Sequence, residues 1–464
     1  MNWRGLAVCV MLAALCLITW FALEKKDRPF QASLTSKQEV VFWHFWGGED
    51  RDVVDDVVRR FNESQEQYFV RSIAMPGNNL QAKLFLSVAG GDPPDLVNQD
   101  DPVIADWGER GVIKAIDEII PDEDVQSLES WMFDSARRLT TYQGRLYGIC
   151  NGLDIRALYF NQTVLDRFGF QPPKTIEELS AISTTISGNG DDESGSFAYL
   201  PDSRRLWAWG YVFGADFYDS EIADVQVDSP EVINALRWMT SFSKKFGPDN
   251  IIAYRKGDQS LPGKAFPLLP VSDDELVGRY SILMDGQWRV RNIVEFQKDR
   301  QTRGLAVPKF GVCPLPIPKD STGRERAGWV NGNFFVVPKN AKNAKGAVEF
   351  AKFWIGFNSP VEAARTCADG GWIPVSSKVA ETKVFQDYTD SNPLFAQFVN
   401  LAKSKNQFPI PQVVGASMFR RTVESAAYRA ITNPDLKIET ILRDADQEIQ
   451  IHLDRVNRRI GNDK

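Results

Sequence analysis

Hydrophobic and polar positions near the start of the chain first alternate and then recur at helical spacing. From 39 to 45 the alternation predicts a β-strand that sends Phe42 and His44, followed by Trp46, to one face. From 52 to 61 the apolar residues recur at the spacing of an amphipathic helix. We therefore predict a strand, a turn and a helix in that order.

The same alternation of elements continues along the chain. Residues 68–73 predict the next strand, 80–89 a helix and 95–97 a short buried strand. Near the C-terminus, residues 436–456 carry apolar side chains at helical spacing. Alternating strands and helices predict an α/β protein with a mostly parallel sheet covered by helices on both faces.

Composition narrows the class of protein. The chain has 464 residues, of which 43% are hydrophobic and 25% charged, so we expect a globular protein with two or more lobes. The net charge of −7 and the absence of a basic stripe disfavour nucleic acid as a partner. The chain has only two histidines, which excludes an HExxH metal site and disfavours a histidine-dependent triad.

The N-terminus predicts export. Leu6 to Leu23 is an apolar stretch that would be about 27 Å long as a helix. The segment 19–23 fits poorly the pattern of small residues at positions −3 and −1 of a signal-peptidase site, so an uncleaved membrane anchor is favoured over a cleaved signal peptide. Cys16 fits a lipoprotein signal poorly. We expect the body to lie in the periplasm or on the extracellular face, tethered to the cytoplasmic membrane.

Three cysteines, Cys150, Cys313 and Cys367, lie in the body of the chain. None belongs to a CxxC pair. A bridge between Cys150 and Cys313 is one alternative, and buried free thiols are the favoured one.

Several local motifs place glycine, proline or an aromatic residue where a predicted strand ends. Ligands of α/β proteins bind at such strand ends, so we expect a protein that binds a small polar molecule, with no cofactor and no metal site. The motifs are Trp46-Gly47-Gly48, Gly90-Gly91-Asp92-Pro93-Pro94-Asp95, Leu146-Tyr147-Gly148, Asp285-Gly286-Gln287-Trp288, Gly328-Trp329-Val330-Asn331 and Gly371-Trp372-Ile373-Pro374.

In their order and spacing these motifs, together with the segment 154–161, resemble the extracellular solute-binding proteins of ABC sugar importers, the maltose-binding-like group. The resemblance implies a type II periplasmic-binding-protein-like fold, with mixed sheets flanked by helices and a ligand cleft between two lobes. It also implies three parts of the chain. These are an anchor and linker at 1–37, a first lobe at 38–152 with 283–340, and a second lobe at 153–282 with 341–464.

The resemblance further implies which residues face the ligand. Aromatic faces stack on the C–H face of a sugar ring, and carboxylate, amide and guanidinium groups bind its hydroxyls. Core packing is the alternative for each tryptophan, and a turn acceptor is the alternative for Asp95. The implied ligand-binding residues are Trp46, Gly47, Asp95, Asp154, Arg156, Gly286, Trp288, Trp329, Asn331 and Trp372.

The implied function is that of a monomeric solute-binding component of an ABC importer. It would capture a sugar or polyol and deliver it to a membrane permease by hinge closure. We expect no enzymatic activity. Two alternatives remain open at this point, a ligand-sensing subunit of a signalling partner and an exported glycoside hydrolase.

Overall fold

The structure of the chain is a computed structural model. The predicted membrane anchor lies outside the residues that the structure describes. Within those residues, no helix combines the length and the apolar character that crossing a bilayer requires. The described residues are 37–75, 77–100, 102–187, 197–258, 266–319 and 324–462.

Strands and helices alternate from Gln38 to Glu109, as the hydrophobic pattern predicts, whereas five helices follow one another between Ala344 and Ala402. The strands are β1 (Gln38–His44), β2 (Tyr68–Ala74), β3 (Leu96–Gln99), β4 (Thr141–Tyr142), β5 (Arg145–Leu146), β6 (Ile149–Asn161), β7 (Tyr218–Asp219), β8 (Asp224–Val225), β9 (Ile282–Gly286), β10 (Phe310–Cys313), β11 (Gly328–Val336) and β12 (Gln407–Phe408).

The helices vary from one turn to seven turns in length. They are α1 (Glu49–Ser64), α2 (Gly77–Ala89), α3 (Ile104–Glu109), α4 (Asp122–Trp131), α5 (Asp134–Thr140), α6 (Gln162–Arg167), α7 (Ile176–Ser187), α8 (Leu206–Phe213), α9 (Pro230–Phe246), α10 (Pro248–Asp258), α11 (Arg289–Thr302), α12 (Ala344–Trp354), α13 (Pro360–Gly370), α14 (Ser377–Ala380), α15 (Lys383–Ser391), α16 (Pro393–Ala402), α17 (Ala416–Thr432) and α18 (Ile438–Asn462).

The described residues form two compact units. The first unit ends at Val97 and also includes Asn340–Phe350, and the second consists of Asn98–Lys339 with the described residues from Ala351 onward. These boundaries differ from those of the two predicted lobes, which stay a prediction.

In the first unit, β1 lies parallel to both β2 and β3. The predicted alternation in β1 is confirmed, since Phe42, His44 and Trp46 are buried while Trp43 and Phe45 are partly exposed. Burying every second side chain against the helices places the end of β1 and the turn that follows it in a fixed orientation.

The second unit is built around β6. Its first half pairs antiparallel with β11, and its second half pairs antiparallel with β9 and β10. Every β6 residue except Asp154 is buried, which explains why the strand is almost continuously apolar. The presence of a charged side chain such as that of Arg156 on this strand is therefore not explained by exposure to water.

Large apolar side chains on helices of the second unit are buried. Trp107, Trp207 and Trp354 are buried in the helices α3, α8 and α12. The predicted C-terminal amphipathic helix is α18, which buries Leu442 and Ile449 among other apolar residues. These side chains stabilise the unit by withdrawing apolar surface from water.

The three cysteines of the body are free thiols. Cys150 and Cys367 are buried and Cys313 is partly buried. Burial raises the pKa of each thiol to about 12, so the thiolate is disfavoured at neutral pH. The favoured alternative of unpaired thiols is confirmed, and the bridge between Cys150 and Cys313 is absent.

The first prediction concerns Asp446 of α18. Its Oδ1 accepts a hydrogen bond from the Val227 amide at 2.8 Å, and burial, with repulsion from Asp228 and Asp224, raises its pKa to about 6. The folded state binds the proton more tightly than the unfolded state, so the stabilisation is greatest below about pH 4 and is lost as the pH rises through 6.

The D446N variant keeps the acceptor oxygen without the charge. We expect its melting temperature to exceed that of the parent by about 1–2 °C at pH 7.5, because solvent screens this half-buried group, and to match it at pH 4. Asp444 is exposed on the same helix, so D444N serves as the control. A D446N effect of equal size at both pH values contradicts the prediction.

Candidate functional site

A buried arginine organises the candidate site. Arg156 lies on β6 and is only 7% exposed. Its guanidinium carbon lies 4.7 Å from the ring centroid of Trp288 and 4.8 Å from that of Trp329. Both contacts have the geometry of cation–π interactions, so two aromatic side chains from separate parts of the chain pack against one positive charge.

Hydrogen bonds do not compensate for the burial of this charge. The Nε and Nη1 atoms of Arg156 are buried and have no hydrogen-bond partner among the described residues. Burial, and secondly the nearby charge of Arg205, lowers the pKa of Arg156 to about 10, while Asp154 and Asp285 oppose the shift. At neutral pH Arg156 stays charged and incompletely stabilised.

Gln287 holds the loop after β9 against β6. Its Nε2 donates to the Leu153 carbonyl at 3.0 Å and to Oδ1 of Asp154 at 2.9 Å. Its Oε1 accepts from the Ile155 amide at 3.2 Å. The buried amide thus satisfies the backbone of β6 on both sides of Asp154 and orients that carboxylate.

Gly286 allows Trp288 to reach Arg156. A Cβ atom on Gly286 would lie 2.1 Å from Cζ3 of the Trp288 ring, so the ring packs directly on the glycine backbone. The Gly286 carbonyl accepts a hydrogen bond from the Tyr159 hydroxyl at 2.8 Å. Trp288 remains 39% exposed, which leaves much of its surface in contact with solvent.

β11 contributes Trp329 and Asn331. Trp329 is 8% exposed and pairs with Phe408 of β12, and Asn331 lies opposite Asp154 of β6. The side-chain amide of Asn331 is partly exposed and makes no hydrogen bond with any residue of the described ranges. A narrow cleft beside these two residues is lined by Pro102, Leu139, Trp329, Asn331, Phe334, Pro409, Ile410, Gln412 and Arg420.

Trp372 stacks on a core tryptophan. Its ring lies 5.8 Å from that of Trp354 at an interplanar angle of 14°. The next residue, Ile373, forms a bridge with Leu153 of β6, where the Leu153 amide donates to the Ile373 carbonyl at 3.3 Å. The loop of Trp372 is thereby joined to β6 one residue before Asp154.

Trp46 and Gly47 belong to the first unit. Trp46 is 8% exposed and its ring centroid lies 5.8 Å from that of His44 and 5.6 Å from that of Phe45. Gly47 follows it and is exposed. In the first unit, Trp46 is packed and Gly47 opens the turn between β1 and α1.

Asp95 bonds backbone groups with both carboxylate oxygens. Oδ2 accepts from the Val41 amide at 2.9 Å, and Oδ1 accepts from the Asn343 amide at 2.7 Å. In return, the Asp95 amide donates to the Val41 carbonyl at 2.9 Å. These bonds favour the alternative in which Asp95 is a structural acceptor, and we leave it out of the proposed binding set.

The structure brings six of the ten predicted residues together in the second unit. They are Asp154, Arg156, Gly286, Trp288, Trp329 and Asn331. Trp372 is joined to the same strand through its neighbour Ile373. Sequence reasoning missed Gln287, although the motif that contains it was noted, and Arg205, which belongs to no motif. Their importance depends on contacts that are distant in sequence.

Sequence comparison finds a family model and several relatives that match most of this chain. The family model described as bacterial extracellular solute-binding protein matches residues 56–393. The maltotriose-binding protein of Pyrococcus abyssi is 25% identical over 353 residues, covering 74% of this chain and 67% of the relative. The sn-glycerol-3-phosphate-binding periplasmic protein of Yersinia pseudotuberculosis is 22% identical over 402 residues, covering 83% and 84%.

Solved structures show the same fold. The sugar-binding protein MalE of Xanthomonas citri matches with a TM-score of 0.71 at 16% identity, covering 92% of this chain and 100% of that one. At this level of identity the likeness concerns the fold alone. The predicted fold class, α/β of the type II periplasmic-binding-protein kind, is confirmed.

The second prediction tests the packing of Trp288 on Gly286. In G286A the new methyl group must displace the ring, because its position is closer than any van der Waals contact permits. We expect an altered near-ultraviolet circular dichroism spectrum and a loss of about 1–3 kcal/mol in the free energy of unfolding.

The G152A variant is the matched control for G286A. Gly152 lies on β6, and a Cβ atom there has no other atom within 4 Å. Its spectrum should equal that of the parent. An unchanged spectrum for G286A would show that Trp288 does not rest on the glycine.

The third prediction tests Asp95. D95A leaves the Val41 and Asn343 amides without their acceptor, so we expect a loss of about 2–4 kcal/mol in a urea titration. D92A is the control, because Asp92 is exposed and its carboxylate pairs with exposed Lys342 at the surface. Equal stability of the two variants would argue against the structural role of Asp95.

Proposed function

Because the chain belongs to the family of bacterial extracellular solute-binding proteins, we propose that it captures a carbohydrate and that Trp288 is the platform on which a sugar ring stacks. The observation that carries this proposal is the geometry of Trp288. One part of the ring is packed on Gly286 and Arg156, and 39% of the side chain is left open to solvent. A ring held rigidly loses little entropy when a ligand stacks on it.

Polar groups beside the tryptophans suit sugar hydroxyls. Asp154 uses Oδ1 to accept from Gln287, and its Oδ2 accepts no hydrogen bond from any residue that the structure describes. Asn331 lies opposite Asp154 in the β6–β11 pairing and offers both a donor and an acceptor. A carboxylate and an amide side by side bind neighbouring hydroxyls as acceptor and donor.

The names of the relatives support a sugar or a polyol derivative. One relative is a maltotriose-binding protein, another binds sn-glycerol 3-phosphate, and the structure from Xanthomonas citri is that of a sugar-binding protein. A micromolar dissociation constant corresponds to about −8 kcal/mol, which one stacked ring and several satisfied hydrogen bonds supply.

The proposal also covers the localisation of the protein and its membrane partner. We place the body outside the cytoplasmic membrane, tethered by the apolar segment at 6–23, where it acts as a monomer and delivers solute to an ABC permease. Family membership supports export and a binding role. In this proposal the solute leaves the protein chemically unchanged.

The fourth prediction replaces Trp288 by alanine. The W288A variant loses the stacking face, so we expect the dissociation constant for a bound oligosaccharide to rise about 10- to 100-fold. F168A is the control, because Phe168 is a 44% exposed aromatic residue elsewhere in the second unit. Isothermal titration calorimetry of the full-length protein with maltotriose, mannotriose and glycerol 3-phosphate measures the change.

The same titrations separate the proposal from its alternatives. Saturable binding with recovery of unchanged ligand supports a binding protein, whereas release of shorter sugars indicates a hydrolase. Equal losses in W288A and F168A, or no loss in either, contradict the assignment of Trp288. Co-purification with a receptor kinase in place of a permease would favour the sensing alternative.

A further inference from the structure

Arg205 adds a second positive charge to the face of Trp329. Its guanidinium carbon lies 5.8 Å from the Trp329 ring centroid, and that of Arg156 lies 4.8 Å from the same centroid. The Arg205 side chain is partly exposed and forms no hydrogen bond or salt bridge with any residue in the described ranges. Two arginines thus share one aromatic ring, and within those ranges neither side chain forms a salt bridge.

Two of the carboxylates near these arginines are engaged elsewhere. Asp285 forms a salt bridge with Arg289 at 2.9 Å, and Asp202 forms one with Arg204 at 2.7 Å. Asp154 attracts Arg156, whereas Arg204 and Arg205 repel it.

The positive charges of Arg156 and Arg205 lie against the same ring, where the burial of Arg156 makes their repulsion unfavourable. Arg205 lowers the pKa of Arg156, which is the direction that mutual repulsion produces. A neutral sugar hydroxyl would accept hydrogen bonds but would leave the repulsion in place. An anion would remove it and would also supply acceptors for guanidinium donors.

We propose that the solute carries an anionic group, a carboxylate or a phosphate, and that Arg205 and Arg156 bind this group beside Trp329. The inference rests on the proposed function, since the sugar or polyol part of the same molecule stacks on Trp288. It adds the chemical class of the solute, which is a uronate or a phosphate ester.

Arg420 lines the narrow cleft beside Trp329, together with Asn331 and Gln412. Oε1 of Gln412 is buried without a hydrogen-bond partner among the described residues, while its Nε2 donates to the Ile410 carbonyl at 3.1 Å. In this proposal the anionic end of the solute meets Arg156 on β6 and Arg205 in its turn, on the ring of Trp329 that borders this cleft.

Matched pairs of neutral and anionic compounds test the proposal. The fluorescence of the full-length protein is titrated with glucose against glucuronate and glucose 6-phosphate, and with glycerol against glycerol 3-phosphate. We expect at least one anion to bind 10-fold or more tightly than its neutral counterpart. This preference should decrease as sodium chloride rises from 50 to 500 mM, because salt screens partly exposed charges.

The R205Q variant should abolish the preference. Partly exposed Arg205 can be replaced without opening a core cavity, and an unchanged melting temperature verifies folding. We expect the anion and its neutral counterpart to bind R205Q with dissociation constants that differ less than threefold. R237Q is the control, because Arg237 is an exposed arginine paired with Glu439, and it should keep the full preference.

Each outcome has a distinct meaning. Preference for uronates identifies a carboxylate, and preference for phosphate esters identifies a phosphate. Neutral compounds that bind as tightly as the anions overturn this proposal and leave carbohydrate binding intact. If neither kind binds to the full-length protein, carbohydrate capture and the anionic group are both refuted. A preference that survives in R205Q refutes the role of the arginines.

Discussion

The positive charge of Arg156 on a buried strand is the constraint on which the site depends. Moving a guanidinium out of water costs several kcal/mol, and each of the two aromatic faces returns about 2 kcal/mol. Two tryptophans stabilise the Arg156 guanidinium, Trp288 from the loop after β9 and Trp329 from β11. The remaining cost persists as long as Nε and Nη1 lack acceptors. In the role that we propose for Arg156, the solute supplies the acceptors that the fold does not.

The side chain of Gln287 holds the backbone around Arg156 in place. The Gln287 side chain bonds both to the carbonyl of Leu153 and to the amide of Ile155. It thereby continues, beyond the end of β9, the hydrogen bonds that β9 makes to the backbone of β6. The loop that carries Trp288 is consequently fixed to the strand that carries Arg156. A site built on paired strands holds its side chains more precisely than one built on free loops.

Sequence reasoning predicted the local elements well and the roles of single residues less well. The period of apolar positions identified β1, α1 and α18, because such patterns reflect the two sides of an element. It left two readings of Asp95, and a contact 248 residues away, with the Asn343 amide, now favours one of them. Arg205 and Gln287 were missed for the same reason, since their partners on β6 and β11 are distant in the chain. The lobe boundaries and the ligand contacts themselves stay predictions.

The unequal exposure of the two tryptophans indicates a division of roles at the site. Trp329 is 8% exposed and is shared by two arginines, so its ring serves mainly to hold positive charge in place. Trp288 is 39% exposed and contacts only one of them, which frees it for a ligand. Motif matching treats the two residues alike because each lies within two residues of a glycine near a strand end. Burial and charge separate them, and these two quantities are the basis for our proposal that different side chains recognise the apolar and the anionic parts of a solute.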